Sequence, residues 1–102
     1  MLQFFKQLFK SKTVDYAELC RKGAQIIDVR TATEYKLGHI RGSLNIPLQT
    51  LNQSLGKIKK DSPVITCCAS GMRSASASSI LKSAGFGDVH NGGGWVSLQK
   101  KI

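Results

Sequence analysis

Cys68, Arg73 and the residues between them form the segment of this sequence best suited to chemistry. The segment reads Cys68-Ala69-Ser70-Gly71-Met72-Arg73 and follows a β-branched run. A thiolate is a strong nucleophile, and it is favoured where loop N–H groups and the amino end of a helix converge on the sulfur. Arg73 adds a permanent cation for an anionic substrate or for loop carbonyls, and Gly71 permits the φ angle that closes the loop. No general base is required, because a lowered thiol pKa activates the nucleophile.

The predicted elements around this segment place Cys68 at the functional edge of a sheet. Short apolar, β-branched runs predict strands at residues 25–29, 43–46, 64–67 and 88–90. Helices are predicted after the capping box at Thr31, from Pro47 to Ile58, and from Ser74 to Ala84. This alternation predicts an α/β fold, a small three-layer sandwich with a central parallel sheet and helices on both faces. The functional crevice of such sheets lies beyond the carboxyl ends of the strands, where Cys68 falls.

The two other cysteines are expected to pack rather than react. Side chains alternate along a strand, so Cys67 faces the core if Cys68 faces the loop. Cys20 lies near the end of a short amphipathic stretch and is also interpreted as a packing residue. Three cysteines cannot form a complete disulfide framework, which favours a reducing, cytoplasmic location.

The composition predicts one globular domain with a strong positive charge. Fifteen Lys and Arg against six Asp and Glu give a net charge of +9, which attracts anions. The basic residues are scattered and no aromatic-interleaved basic patch is present, so a small anionic substrate is favoured over nucleic acid. The alternation of apolar and polar residues at positions 1–12 predicts an amphipathic segment. It is expected either to pack on the domain or to make a weak membrane contact. The domain itself is expected to span residues 13–102 as a monomer, with no segment that crosses a bilayer.

Several stretches of the chain resemble, in order, the signatures of rhodanese-like domains. They are Ile26-Ile27-Asp28-Val29-Arg30, Glu34-Tyr35, Gly38-His39-Ile40-Arg41-Gly42-Ser43 with Asn45-Ile46-Pro47, Cys68-Ala69-Ser70-Gly71-Met72-Arg73-Ser74, and Gly85-Phe86. The resemblance covers about residues 13 to 98. It implies a sulfurtransferase in which Cys68 takes sulfane sulfur from thiosulfate or a persulfide and passes it to cyanide or a thiol. It implies no metal or other cofactor.

The resemblance also implies supporting roles for residues outside the loop. Asp28 and Arg30 would form a buried polar scaffold with Glu34 nearby, although an ordinary ion pair is the plainer interpretation. Ser74 follows the loop and would support it. His39 would organise a turn rather than transfer protons.

Three functions remain open at this point. The first is the thiosulfate or persulfide sulfurtransferase, and the second is a noncatalytic or relay module that docks on, or passes sulfur to, a partner protein. The third is a phosphatase or arsenate reductase, which is disfavoured because the related phosphatases have a longer loop, usually preceded by His. The neutral loop interior, Ala69, Ser70 and Met72, leaves only backbone N–H groups and Arg73 for an anionic donor, so thiosulfate need not be the physiological one. The run Gly92-Gly93-Gly94-Trp95 departs from the family pattern, which therefore does not predict the structure of the last residues.

Overall fold

The computed structural model of the protein describes residues 13–102, which form a four-stranded sheet flanked by helices. The strands are β1 (Gln25–Asp28), β2 (Leu44–Asn45), β3 (Val64–Cys68) and β4 (Val89–Gly94). The α-helices are α1 (Tyr16–Arg21), α2 (Ala32–Lys36), α3 (Met72–Ser83) and α4 (Trp95–Gln99). The amphipathic segment predicted for residues 1–12 lies outside the described residues. None of the helices within residues 13–102 is long and apolar enough to cross a membrane.

The sheet is parallel throughout, as the sequence predicted, with the strand order β2-β1-β3-β4. In the register, Asp28 of β1 lies opposite Cys67 of β3, and Cys68 lies opposite Gly94 of β4. Because parallel strands end at one edge, the residues that follow β1, β3 and β4 converge there. Cys68 is the last residue of β3, one of the two inner strands, at this edge.

Two buried clusters, one on each face of the sheet, confirm the three-layer arrangement. One contains Ile27, Val29, Leu51, Val64 and Cys68 and is covered by α3 and by the segment between β2 and β3. The other contains Ile26, Ile65, Cys67 and Leu98 and is covered by α1 and α4. The branched residues of β1 and β3 therefore supply apolar side chains to both faces, which is typical of a parallel sheet with helices on both sides.

The helix α3, which follows the loop, packs on the sheet through small side chains. Its buried residues have helical spacing and are Ser74, Ala77, Ser78 and Leu81. The chain leaves the helix through Gly85, whose φ of 96° lies in the left-handed region favoured by glycine. The predicted C-cap is therefore confirmed, and the helix begins two residues earlier than the predicted Ser74.

The helix predicted from Pro47 to Ile58 is wrong, because this segment forms two short 3₁₀-helices, Leu48–Gln53 and Leu55–Lys57. The break falls at Ser54, whose N–H donates to the carbonyl of Leu51 with i, i+3 spacing. Asn52, Ser54 and Gly56 all have low helix propensity, so a continuous α-helix is not favoured. The apolar residues of the segment nevertheless face the core, and Leu51 is fully buried.

The last residues of the chain form more regular secondary structure than the sequence pattern predicts. The strand expected at residues 88–90 extends as β4 to Gly94 and runs directly into helix α4. A Cβ atom on Gly92 would lie 2.8 Å from the Ile65 Cγ2 and 2.9 Å from the Leu98 Cδ2. The absence of a side chain at Gly92 thus lets β4 and α4 pack tightly against β3.

Candidate active site

The sulfur of Cys68 lies where β3 ends, the loop closes and α3 begins. Its Sγ accepts a hydrogen bond from the N–H of Gly71 at 2.9 Å and one from the N–H of Ser74 at 3.4 Å. Gly71 precedes α3 with a φ of 110°, a left-handed conformation that turns its N–H back toward the sulfur. The sequence therefore placed Cys68 correctly relative to the loop and the helix, and Gly71 has the predicted conformation.

This environment lowers the pKa of the Cys68 thiol below its ordinary value. Burial of the sulfur opposes the shift, since it disfavours the charged thiolate. The N–H groups of Ser74 and Gly71, which donate hydrogen bonds to the sulfur, outweigh that effect together with contributions from the Ser74 side chain and the Ser70 backbone. Cys68 therefore forms a thiolate more readily than an ordinary cysteine.

Ser74 is held in place by two residues that the sequence analysis did not identify, Asn91 and Thr66. The Ser74 hydroxyl donates to the Asn91 Oδ1 at 2.6 Å, and the same oxygen accepts the Gly93 N–H at 3.0 Å. The Thr66 hydroxyl donates to the Ser74 carbonyl at 2.8 Å. Thr66 is a fully buried polar residue of β3, and its type, atypical of a core, could have signalled a buried hydrogen bond. Asn91 is an exposed residue of β4 and offers no such signal.

We expect Ser74→Ala to raise the pKa of the Cys68 thiol, because the variant removes a hydroxyl that contributes to the low pKa and that, through Asn91, anchors the start of α3, where the Ser74 N–H donates to the sulfur. At a fixed pH near the wild-type pKa, a smaller fraction of Cys68 is then ionised. Titration of the thiolate ultraviolet absorbance, with the signal of Cys68→Ser subtracted, measures the shift. Ser79→Ala removes an exposed hydroxyl of the same helix and should leave the titration unchanged. An unshifted curve for Ser74→Ala would contradict this account of the low pKa.

The backbone of the glycine run at the end of β4 packs directly against the backbone of the loop. A Cβ atom on Gly94 would lie 2.9 Å from the carbonyl oxygen of Ala69 and 3.8 Å from the Ser70 Cα. A Cβ atom on Gly71 would lie 3.5 Å from the Gly93 Cα. The backbones of the loop and of β4 thus lie so close that a side chain at Gly94 would displace the loop.

Arg73, at the far end of the loop, forms an ion pair with Glu34 of α2. Its Nη1 and Nη2 donate to the two carboxylate oxygens at 2.7 and 3.0 Å. Both side chains are about one-third exposed, at 36% and 35%. Arg73 therefore binds a carboxylate of the protein itself, whereas the sequence suggested a substrate anion or loop carbonyls. Met72, beside it, is 81% exposed and Ala69 and Ser70 are also exposed.

Asp28 and Arg30 form a buried ion pair beneath this edge of the sheet. The Arg30 Nη2 donates to the Asp28 Oδ2 at 2.7 Å and also to the Gly38 carbonyl at 2.7 Å. The ring of Trp95 covers the guanidinium at 4.8 Å. This hydrogen bonding to Asp28 raises the pKa of Arg30. Through the hydrogen bond from Arg30 to Gly38, the pair connects β1 with the chain after α2, which is the geometry of a scaffold. The pair lies on the face of the sheet that contains Cys67.

Cys20, Cys67 and the two histidines make no hydrogen bond to the Cys68 sulfur, which is bonded by the N–H groups of Gly71 and Ser74. Cys67 is fully buried in the opposite cluster, and burial raises its pKa to about 12. Cys20 packs against that cluster, and its burial also raises its pKa. The His39 ring stacks on Tyr35, and its Nδ1 lies 2.7 Å from the Tyr35 carbonyl oxygen, an architectural contact. His90 pairs with Asp88 at 2.5 Å.

A small cleft of about 120 Å³ opens beside the loop. Its lining residues are Val29, Thr31, Pro47, Leu48, Gln49 and Arg73. A larger, shallower groove of about 390 Å³ lies over the carboxyl half of α3, away from Cys68. Of these two concave surfaces, the smaller cleft is the one that adjoins the active loop, Cys68 to Arg73.

Comparison with known proteins agrees with this architecture. A family model, described as the rhodanese-like domain, matches residues 12–101. A solved structure of a rhodanese with anions from E. coli superimposes with a TM-score of 0.68 and 32% identity, and the match covers 78% of this chain and 92% of that chain. The chain therefore belongs to the rhodanese-like domain family, as its motifs predicted.

Relatives in this family include sulfurtransferases of different lengths. The thiosulfate sulfurtransferase GlpE of Shewanella oneidensis is 32% identical over 87 residues, which are 85% of this chain and 84% of GlpE. MoeZ of Mycobacterium tuberculosis, a probable adenylyltransferase/sulfurtransferase, is 38% identical over 91 residues. The match covers 86% of this chain and only 23% of MoeZ. The same kind of domain thus occurs both as most of a small protein and as a part of a larger one.

Proposed function

We propose that this protein is a sulfurtransferase that carries sulfane sulfur as a persulfide on Cys68. The observation that carries the proposal is the set of N–H groups, from Gly71 and Ser74, that point at the Cys68 sulfur from the loop and from the start of α3. They stabilise a thiolate without a general base. That thiolate is the nucleophile that takes sulfur from the donor, and it is the leaving group when the sulfur passes to the acceptor. The relationship to GlpE supports the same reaction class.

The proposed reaction has two steps, transfer of sulfur from a donor to Cys68 and transfer from Cys68 to an acceptor. In the first, the Cys68 thiolate attacks the outer sulfur of a donor, a bond from Sγ to that sulfur forms, and the donor's own bond to it breaks. Thiosulfate then leaves as sulfite, and a persulfide donor leaves as its thiol after taking up a proton. In the second step, cyanide or a thiolate acceptor attacks the outer sulfur, and the Cys68 thiolate leaves with the electron pair of the broken S–S bond.

Steady-state turnover tests this proposal. Wild-type protein should form thiocyanate from cyanide with thiosulfate or with a persulfide donor, following ping-pong kinetics in which the two substrates give parallel double-reciprocal lines. Release of phosphate from an aryl phosphate, dependent on Cys68, would instead support the phosphatase alternative. Sequential kinetics would contradict a covalent Cys68 intermediate.

A relay of sulfur to or from a partner protein is the second candidate function. MoeZ supports it, since there the matching domain is a minor part of a chain with a second activity in its name. Slow turnover with thiosulfate and cyanide, combined with rapid persulfide transfer from a cysteine desulfurase, would favour the relay. The reverse pattern would favour an enzyme that acts on free thiosulfate. A monomeric state and a cytoplasmic location both stay predictions, which size-exclusion chromatography and cell fractionation can test.

Gly94→Ala is expected to slow sulfur transfer by about tenfold to a hundredfold, because its Cβ would push the Ala69 carbonyl and the N–H groups that follow it. The measurement is kcat for thiosulfate and cyanide. Gly87→Ala is the matched control, since a Cβ atom there meets nothing within 4 Å. Equal activity of the two variants would show that the close approach of β4 does not position the loop.

A further inference from the structure

The active loop, Cys68 to Arg73, contains a single permanently charged side chain, that of Arg73, and a carboxylate is paired with it. Its guanidinium forms two parallel hydrogen bonds with Glu34, at 2.7 and 3.0 Å. Such a bidentate pair fixes the guanidinium plane. The adjacent carboxylate charge opposes the attraction of the guanidinium for an approaching anion. Arg30, which follows β1 at the same edge, is likewise paired, with the buried Asp28.

Glu34 is held in this position by its own helix. Its Oε1 accepts the N–H of Thr31 and the Thr31 hydroxyl, each at 3.1 Å, as part of the capping box that starts α2. The hydrogen bonds from Arg73, followed by that from the Thr31 backbone, lower the pKa of Glu34 to about 2. Glu34 is therefore ionised at any physiological pH, and the negative charge beside Arg73 is a permanent feature of the site.

This pairing affects the possible sulfur donors unequally. Thiosulfate carries two negative charges, and its leaving group, sulfite, carries them away. A persulfide carries at most one negative charge, and its leaving group departs as a neutral thiol. With Arg73 paired, the segment from Cys68 to Arg73 offers an anion its backbone N–H groups and the start of α3, whose partial charges compensate a dianion less fully than a monoanion.

We propose that Glu34 is a specificity-determining residue that, by neutralising Arg73, disfavours free thiosulfate and selects persulfides as the sulfur donors of Cys68. This inference rests on the sulfurtransferase function proposed above and names its substrate class. Glu34 acts through Arg73 and does not touch the sulfur, so its effect is on the choice of donor rather than on the chemistry.

Glu34→Gln removes the negative charge of Glu34 and keeps the size of the side chain. A glutamine oxygen still accepts the Thr31 N–H, because capping boxes use Glu or Gln at this position. Glu18→Gln is the matched control, because Glu18 also pairs with an arginine, Arg21, on the exposed surface of α1. The readout is the second-order rate constant for loading Cys68 with one sulfur, followed by intact mass, with thiosulfate and with cysteine persulfide as the two donors.

Wild type is expected to load faster from cysteine persulfide than from thiosulfate. In Glu34→Gln the ratio of the thiosulfate constant to the persulfide constant should rise by about tenfold, and added salt should reduce that gain, since it screens the released cation. Glu18→Gln should keep the wild-type ratio. An unchanged or lower ratio in Glu34→Gln, with loading intact, would overturn the inference alone, whereas failure of wild type to load from either donor would overturn the sulfurtransferase proposal as well.

Discussion

Cys68→Ser is expected to abolish sulfur transfer, with kcat at least about a thousandfold below wild type, because a hydroxyl cannot replace the thiolate as nucleophile or hold sulfane sulfur. Serine is nearly isosteric with cysteine, and its oxygen can still interact with the N–H groups of Gly71 and Ser74. The free energy of unfolding should therefore change by no more than about 1 kcal/mol. Thiocyanate formation and urea denaturation measure the two quantities.

The neighbouring cysteine provides the control for this prediction. Cys67→Ala removes a sulfur that is fully buried on the opposite face of the sheet. It should keep sulfur transfer near the wild-type rate, at a packing cost of about 1 kcal/mol. Activity lost in Cys67→Ala and retained in Cys68→Ser would reverse the assignment of the nucleophile. Loss of activity in both variants would indicate that the two cysteines act as a redox couple.

Asp28→Ala is expected to lower the free energy of unfolding by about 3–5 kcal/mol, because it leaves the buried guanidinium of Arg30 without its counter-ion. Asp28 is fully buried and Arg30 is 4% exposed, so water cannot replace the lost carboxylate. A small domain is stable by only about 5–15 kcal/mol, so the variant should unfold at a much lower urea concentration. Chemical denaturation, followed by circular dichroism, gives the value.

Two further variants distinguish a buried charge from a general loss of contacts. The double variant Asp28→Leu with Arg30→Met removes both charges and should be more stable than Asp28→Ala. Glu18→Ala breaks the exposed pair with Arg21, and such solvent-exposed pairs contribute little to stability. If Asp28→Ala proved no more destabilised than Glu18→Ala, the pair would not be the scaffold that the geometry indicates.

The sequence predicted the central part of the site because local signals and tertiary structure agree there. The β-branched run before Cys68, the glycine within the loop and the Gly85 C-cap each specify their own conformation. The capping box at Thr31 is also a local motif, and both of its hydrogen bonds are present. Asp28 and Arg30 pair as the family resemblance implied, because they are only two residues apart.

The contacts that the sequence did not predict join residues that are far apart along the chain. Asn91 reaches Ser74 across 17 residues, and Glu34 reaches Arg73 across 39. Gly94 matters because its backbone touches that of Ala69, and neither residue has a side chain whose type reveals the contact. In the segment after Pro47 the apolar spacing was informative about burial, but the weak helix formers between those residues produced 3₁₀ turns.

The intact mass of the purified protein tests the central claim most directly. After incubation with thiosulfate or cysteine persulfide, wild type should gain the mass of one sulfur atom, and cyanide should remove it. Cys68→Ser should show no gain, while Cys67→Ala should load as wild type does. A sulfur adduct that forms on Cys68→Ser, or a wild-type protein that takes up sulfur from neither donor, would contradict a Cys68 persulfide as the carrier.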